Sequence, residues 1–175
     1  MSNSGSQDWN SIVGLVAELK RCDELELTTA AIAMAYICID TIAGLARPAE
    51  NERVTRSDFK QWVDRYLKCH PEQPYKYKGE DVYAARCAFL HSYGSEASLH
   101  KKDSKVVKYV YHDGGKHNYD KAIDPSLAII GIKSFINDVV GAVNLFMEEC
   151  HHDLLLKQRV EPRLAHILQV KPIDS

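Results

Sequence analysis

The segment from Leu25 to Arg47 is apolar at almost every position, and it constrains the fold more than any other part of the chain. Residues 25, 30, 34, 37, 41 and 45 fall on one helical row, and Pro48 ends the segment because proline cannot continue a helix. A helix that is apolar on nearly every side packs in the middle of a bundle. The one acid in this row, Asp40, needs a partner or a place at the edge of the core.

Amphipathic periodicity predicts further helices over residues 9–22, 55–67 and 81–93, and a long helix that starts at Asp124-Pro125. Thr55 and Asp58 form the pattern of a capping box before the second of these. Residues 105–119 are β-branched and aromatic around Asp113-Gly114-Gly115, which predicts a small β-hairpin. The expected fold class is therefore all-α, an up-down helical bundle with a small β-hairpin insertion. The length predicts a single domain over residues 9–170 after a disordered tail, residues 1–8.

Charge and cysteine content narrow the class of protein. A net charge of −2 over 175 residues argues against coating nucleic acid by bulk charge, but residues 100–121 hold six lysines against three acids. Five cysteines without paired spacing indicate free thiols in a reducing compartment. The polar N-terminus does not resemble a signal peptide, and the chain has no run of about 18 uncharged apolar residues. We therefore expect a cytoplasmic protein with no membrane partner.

Arg86 and His91 are the candidate catalytic residues, because they interrupt an otherwise apolar helix that Gly94 is expected to end. Five positions separate them by about 140° around the helix and roughly 7.5 Å along it. A guanidinium suits phosphate and an imidazole can transfer protons near neutral pH, so together they could act on a phosphodiester without metal. The structural alternative is a surface salt bridge and a histidine at a helix end. In the catalytic interpretation Asp40 orients Arg86 or His91, and in the structural one it forms an ordinary buried ion pair or a helix cap.

The stretch Arg86-Cys87-Ala88-Phe89-Leu90-His91 resembles the Arg-x4-6-His signature of the HEPN (higher eukaryote and prokaryote nucleotide-binding) superfamily. The resemblance implies a dimeric helical bundle that cleaves RNA without metal and leaves a 2′,3′-cyclic phosphate. Arg86 would stabilise the phosphate, and His91 would act as acid or base. It also implies a toxin or defence effector with an antitoxin or a nucleotidyltransferase-like partner. Many active members carry a polar residue where this chain has Cys87, so the alternative is a non-catalytic nucleic-acid-binding, nucleotide-binding or dimeric interaction module.

Other residues have supporting roles in this hypothesis. The hydroxyls of Ser92 and Tyr93 follow His91 directly, and they either contact phosphate or cap the helix end. The basic segment would guide the RNA backbone through its first four lysines, which are Lys101, Lys102, Lys105 and Lys108. The histidines at 112, 117, 151 and 152 have no recognisable metal-ligand spacing, so we expect neither a metal nor a cofactor.

Overall fold

A computed structural model describes residues 4–167 of the protein, with side chains from Trp9 onward. These residues form seven helices and two short strands, so the expected mainly helical fold is confirmed. The elements in chain order are α1 (Ser4–Glu24), α2 (Thr28–Ala46), α3 (Arg56–Tyr66), α4 (Gly79–Ser92), α5 (Ser98–Lys102), β1 (Lys108–His112), β2 (Leu127–Gly131), α6 (Ile132–His152) and α7 (Leu154–Leu164). The tail predicted over residues 1–8 is helical from Ser4. Residues 1–3, and the predicted domain end at 168–170, lie outside the described residues.

α2 is the helix around which the others pack. It contacts α1, α3, α6 and α7, and its residues Tyr36, Ile39 and Ile42 are fully buried. Burying its apolar side chains supplies much of the favourable free energy of folding. By length and composition α2 could also cross a membrane, but half of its apolar stretch is buried against the rest of the chain.

The predicted β-hairpin is wrong. β1 lies inside the predicted segment, but it pairs in parallel with β2, in a register that sets Lys108 opposite Leu127 and His112 opposite Gly131. The expected return strand is reduced to a single antiparallel bridge between Asn118 and Ile129. The physical reason is burial, because β2 places Ala128 and Ile130 in the core at 0% exposure.

The long helix α6 begins later than the Asp124-Pro125 pattern predicts. Asp124 caps a local turn instead, where its Oδ1 accepts hydrogen bonds from the backbone nitrogen and the hydroxyl of Ser126, at 2.8 and 2.7 Å. The chain then enters β2, and α6 starts only at Ile132. Tertiary pairing with β1 therefore overrides a good local helix start.

The N-terminal ends of α3 and α4 form as their sequences indicate. The capping box is confirmed, since the Thr55 hydroxyl accepts from the Asp58 backbone nitrogen at 3.2 Å and Asp58 accepts from the Thr55 backbone nitrogen at 2.8 Å. α4 starts at Gly79 where it crosses α3, and a Cβ atom there would lie 2.5 Å from the Lys60 carbonyl oxygen. This close crossing fixes the position of α4 relative to the rest of the fold.

The C-terminal end of α4 differs from the prediction. Tyr93, not Gly94, takes the left-handed conformation that ends the helix, with φ of 50°. The backbone nitrogen of Gly94 donates to the Ala88 carbonyl at 3.2 Å, which closes the last turn. The Tyr93 side chain consequently points away from the core and is 73% exposed.

Candidate functional site

α2 and α4 together bring three of the predicted site residues into contact. Arg86 donates from Nε to Oδ2 of Asp40 at 2.7 Å, and its Nη2 lies 2.6 Å from the same oxygen. The remaining guanidinium nitrogen, Nη1, lies 3.0 Å from Nε2 of His91. The structure therefore links Asp40, Arg86 and His91 in one chain of hydrogen bonds at the end of α4.

The contact between Arg86 and His91 is closer than their spacing on the helix indicates. Their backbone positions are five residues apart and are not stacked neighbours. The arginine side chain is long enough to reach along the helix surface towards its C-terminal end. Asp40 holds the guanidinium from the side of α2, and Nη1 therefore lies against His91 and not in solvent.

The chemistry of the two side chains decides which one donates the hydrogen bond. A guanidinium has donors and no acceptor, so Nη1 of Arg86 donates and Nε2 of His91 accepts. The lone pair on Nε2 is therefore directed at Arg86, and it becomes available to a substrate only when this contact opens.

Burial and charge act in opposite directions on the ion pair. The Asp40 side chain is 28% exposed and the Arg86 side chain 22% exposed. Burial raises the pKa of Asp40, and the hydrogen bond and charge of Arg86 limit that rise. Burial lowers the pKa of Arg86, but the contact with Asp40 outweighs it, so the net pKa is raised. Arg86 is consequently a permanent cation beside an exposed imidazole.

Ser92 and Tyr93 lie exposed beside His91, at the end of α4. The Tyr93 hydroxyl donates to Oγ1 of Thr29 at 3.2 Å, and its ring packs 5.7 Å from that of Phe89. This hydroxyl therefore ties the end of α4 to the start of α2. Burial raises the pKa of Tyr83, and Cys87 raises it further. Cys87 itself is half-buried next to Arg86.

The four lysines predicted to guide RNA differ in their surroundings. Lys101 and Lys102 are exposed on α5, and Lys105 is exposed in the loop that follows. Lys108 on β1 is paired with Glu96, at 3.1 Å. Within the described part of the chain, Lys101, Lys102 and Lys105 form no ion pair with a carboxylate. His100, on the same short helix, is buried, and its Nδ1 accepts from the Ala97 backbone nitrogen at 2.9 Å.

A buried carboxylate in the first turn of α4, that of Asp81, joins three parts of the fold. Asp81 is 2% exposed and accepts hydrogen bonds from the Tyr75 hydroxyl at 2.6 Å and the Val107 backbone nitrogen at 2.9 Å. Tyr109 donates to Tyr75 in turn, at 3.0 Å. Tyr75 and Tyr77 lie in the loop before α4 and are buried, at 2% and 9% exposure. Asp81 therefore fixes α4 to the loop before it and to β1.

A second buried network involves one of the histidines considered as a metal ligand. His117 accepts from the Gly131 backbone nitrogen at Nδ1, 3.1 Å away, and its Nε2 lies 2.8 Å from the Tyr77 hydroxyl. Tyr77 donates to Asp138 at 3.0 Å. His112 meanwhile holds its own loop, with Nε2 2.7 Å from the Lys116 carbonyl oxygen. Within residues 9–167 no group of three or more His, Cys, Asp and Glu side chains is placed to hold a metal ion.

Comparisons of the chain with protein-family models, curated proteins and solved structures found no match.

Proposed function

We propose that this protein is a metal-independent endoribonuclease of the HEPN type that acts as a homodimer. The observation that carries the proposal is the hydrogen-bonded chain from Asp40 through Arg86 to the exposed His91. It combines a permanent cation with an imidazole at a solvent-accessible helix end. Both groups are needed to cleave a phosphodiester without metal. We also propose that the helices run alternately up and down in the bundle.

The substrate would reorganise the contact between Arg86 and His91. A phosphate oxygen accepts a stronger, charge-assisted hydrogen bond from Nη1 than the neutral imidazole does. When RNA binds, a phosphate oxygen would replace Nε2 of His91 at Nη1, and the imidazole would turn away while Asp40 keeps hold of Nε and Nη2. The lone pair on Nε2 of His91 then becomes free to accept a proton. Substrate binding would thus activate the base.

The reaction is an attack of the 2′-hydroxyl oxygen on the adjacent phosphorus. The hydroxyl proton passes to the neutral imidazole of His91, and the bond from phosphorus to the 5′-oxygen breaks. The leaving oxygen takes a proton from a second, cationic imidazole, and the products are a 2′,3′-cyclic phosphate and a 5′-hydroxyl. Arg86 neutralises the charge that develops on the phosphoryl oxygens. Since one chain supplies one such histidine, the acid would be His91 of the partner subunit.

The exposed side of α2 supports the dimer. Ile37 is 39% exposed, and the neighbouring residues of the same helical face are small or apolar and not fully buried. Asp40 lies at the edge of this face. A twofold contact between two copies along α2 would therefore bring two Arg86 and His91 pairs towards one cleft. The residues that form this α2 face are Ala30, Ala33, Met34, Ile37, Thr41 and Gly44.

Three further features complete the proposal. The exposed lysines Lys101, Lys102 and Lys105 would guide the RNA backbone. The five free cysteines suit the reducing cytoplasm, where we place the protein. We also propose that it acts as a toxin or defence effector under the control of an antitoxin or a nucleotidyltransferase-like partner. Induced expression should then arrest growth, and His91→Asn should relieve the arrest.

The test is cleavage of an RNA oligonucleotide by purified protein in EDTA. We expect cleavage with a 2′,3′-cyclic phosphate end, identified by mass spectrometry, and no cleavage of the same oligonucleotide with 2′-deoxy sugars. Arg86→Gln and His91→Asn should each lower the rate at least about a hundredfold. The matched controls are Arg53→Gln and His152→Asn, because both residues are exposed and neither belongs to α4. Intact RNA with wild-type protein, or equal cutting by all variants, contradicts the proposal.

The alternative is a non-catalytic binding or interaction module built on the same site. The specific observation in its favour is that Asp40 already occupies two of the three guanidinium nitrogens of Arg86. A binding module would retain RNA without cutting it. Fluorescence anisotropy with the 2′-deoxy oligonucleotide measures this binding, and Lys101→Gln should lower both the affinity and the slope of its salt dependence.

A further inference from the structure

Arg56, at the start of α3, lies beside the first half of α4 and therefore close to the site proposed for RNA. Its guanidinium carbon is 5.3 Å from the centre of the Tyr83 ring, and its Nη2 pairs with Glu80. Both partners belong to α4, and Tyr83 also packs on Phe59 of α3, with ring centres 5.4 Å apart. A ring and a carboxylate thus hold Arg56 against the surface of α4.

The same surface of α4 connects Arg56 with Arg86. Tyr83 is three residues before Arg86, so these two side chains are neighbours on the helix, about 4.5 Å apart along its axis. The thiol of Cys87 lies against both of them. Burial raises the pKa of Tyr83, but the charges of Arg86 and Arg56 lower it, because its hydroxyl lies near both guanidinium groups. The two arginines are therefore on opposite sides of one tyrosine.

Arg56 has hydrogen-bond donors that the fold does not use. Of its three guanidinium nitrogens only Nη2 has a partner, which is Glu80, and no hydrogen bond joins Nε or Nη1 to another group among residues 9–167. The side chain is 43% exposed, so it is accessible to a ligand. Free donors on a guanidinium bind phosphate oxygens through charge-assisted hydrogen bonds.

The positive charge beside Arg56 is not fully neutralised. Glu80 is shared by two cations, since Nζ of Lys60 lies 2.6 Å from its Oε2 while Arg56 pairs with its Oε1. Asp64, the next acid along α3, accepts from the Gly79 backbone nitrogen at 2.6 Å and forms no ion pair with either cation in the described chain. One of the two positive charges is thus left for an anion from outside.

We propose that Arg56 binds a second phosphate of the RNA strand, next to the scissile phosphate at Arg86 and His91. The strand then follows α4 lengthwise, with the scissile phosphate at the C-terminal end of the helix and the neighbouring phosphate at Arg56. This inference rests on the proposed function and adds a requirement to it. The ligand is an RNA strand with two consecutive charged phosphates.

The structural alternative is that Arg56 only joins α3 to α4, and Arg65 offers a matched control for it. The guanidinium carbon of Arg65 is also 5.3 Å from the centre of a tyrosine ring, that of Tyr66, and Arg65 also pairs with a glutamate, Glu149. It lies about two and a half turns after Arg56, on the opposite side of α3. Arg56→Gln and Arg65→Gln therefore remove similar packing and ion pairing, but only the first removes the proposed phosphate contact.

The test uses a short oligodeoxynucleotide with a single ribonucleotide, so that cleavage occurs at one known phosphate. A methylphosphonate, which has no charge, replaces the neighbouring phosphate on the 5′ side or on the 3′ side. One of these replacements should lower the cleavage rate of the wild type in EDTA at least about tenfold, and it identifies the side on which Arg56 binds. Arg56→Gln should cleave the charged and the neutral forms equally slowly, whereas Arg65→Gln should distinguish them as the wild type does.

Glu80→Gln separates phosphate binding from the ion pair. If Arg56 acted only through its pair with Glu80, this variant would lose the preference for the charged neighbour as Arg56→Gln does. A phosphate-binding Arg56 should keep or increase that preference, because the competing carboxylate charge is removed. Arg56→Met, which keeps the length of the side chain, replaces Arg56→Gln if circular dichroism shows that the latter does not fold.

Failure of the proposed function is recognised separately, because the wild type would then cleave none of these substrates. In that case binding decides the inference. A 2′-deoxy trinucleotide with two phosphates should bind the wild type at least about tenfold more tightly than its form with one methylphosphonate, and Arg56→Gln should remove the difference. Equal results with and without the neighbouring charge, or loss of the difference in Arg65→Gln or Glu80→Gln as in Arg56→Gln, overturn the proposal.

Discussion

Arg86 sets both Nε and Nη2 against a single oxygen of Asp40, at 2.7 and 2.6 Å. The second carboxylate oxygen is not used in this contact, and the third guanidinium nitrogen is left for His91. The ion pair therefore orients the arginine without consuming all of its donors. This division is what allows one residue to be anchored to α2 and still offer a donor at the exposed end of α4.

Asp40→Asn should lower RNA cleavage about tenfold or more while the protein stays folded. The amide keeps the shape of the carboxylate but loses the charge that orients Arg86. The pair is partly exposed, so the free energy of unfolding should fall by only about 1 kcal/mol, as measured in urea. In the variant, nitrogen NMR should show a change in the neutral tautomer of His91, which a purely structural role of Asp40 would leave unaltered. Asp113→Asn is the exposed control, and an unchanged cleavage rate with Asp40→Asn would refute the orienting role.

Removing the charge of Asp81 should destabilise the fold far more. This carboxylate is 2% exposed and satisfies two buried donors, so Asp81→Asn leaves one of them poorly paired. We expect a loss of about 3 kcal/mol in the free energy of unfolding. Tyr75→Phe removes one donor and should cost about 1 kcal/mol. Urea unfolding gives both values, and a loss below that of Tyr75→Phe would show that Asp81 does not hold the junction together.

The network of His117, Tyr77 and Asp138 should make two pH effects oppose each other. Burial lowers the pKa of His117 to about 4, below its value of roughly 6.5 in an unfolded chain. The unfolded state therefore binds more protons between these values, and His117 lowers stability as the pH falls from about 6.5 to 4. Burial raises the pKa of Asp138 to about 6, against roughly 3.9 when unfolded. The folded state binds more protons in that range, so Asp138 raises stability as the pH falls.

Substitution of either group should expose the effect of the other. As the pH falls from 6.5 to 4, the free energy of unfolding of Asp138→Asn should fall more than that of the wild type. Over the same range His117→Asn should become more stable than it is at pH 7. Urea unfolding across this pH range measures both trends. Parallel curves for the wild type and both variants would show that neither group titrates differently on folding.

The parts of the fold that depend on neighbouring residues could be predicted from the sequence. The capping box of Thr55 and Asp58 forms because its partners are three residues apart. The nearly continuous apolar character of α2 predicts its central packing, and the acid within it indicates a need for a partner. The row of residues 25, 30, 34, 37 and 41 is nevertheless the exposed or half-buried side, and the side with Tyr36, Ile39 and Ile42 is buried. Which partner meets Asp40 depends on how α2 and α4 pack, so Arg86 and His91 are alternatives when only the sequence is considered.

Features that depend on distant pairing could not be predicted. The turn at Asp113-Gly114-Gly115 favours a hairpin locally, but β1 gains a buried partner strand only further along the chain. Tyr75 and Tyr77 lie in a loop rich in proline and lysine, which indicates exposure. Their burial results from contacts with Asp81 and His117, one of which lies 40 residues away. A period or a turn pattern contains no signal for such contacts.

Ile37→Glu should separate the proposed dimer into monomers and abolish cleavage together with it. Ile37 is 39% exposed on the α2 face, so a charge there should leave the monomer folded but would be buried without a partner in a twofold interface. Sedimentation at micromolar concentration should give a dimer for the wild type and a monomer for the variant. Val13→Glu on α1 is the matched control, because Val13 is 54% exposed on another helix. A monomeric wild type would remove the basis for a shared site, and an Ile37→Glu dimer that still cleaves RNA would place the interface on a different face. Loss of cleavage in step with loss of the dimer would show that neither chain contains a complete site, as a mechanism with one histidine for each of two proton transfers requires.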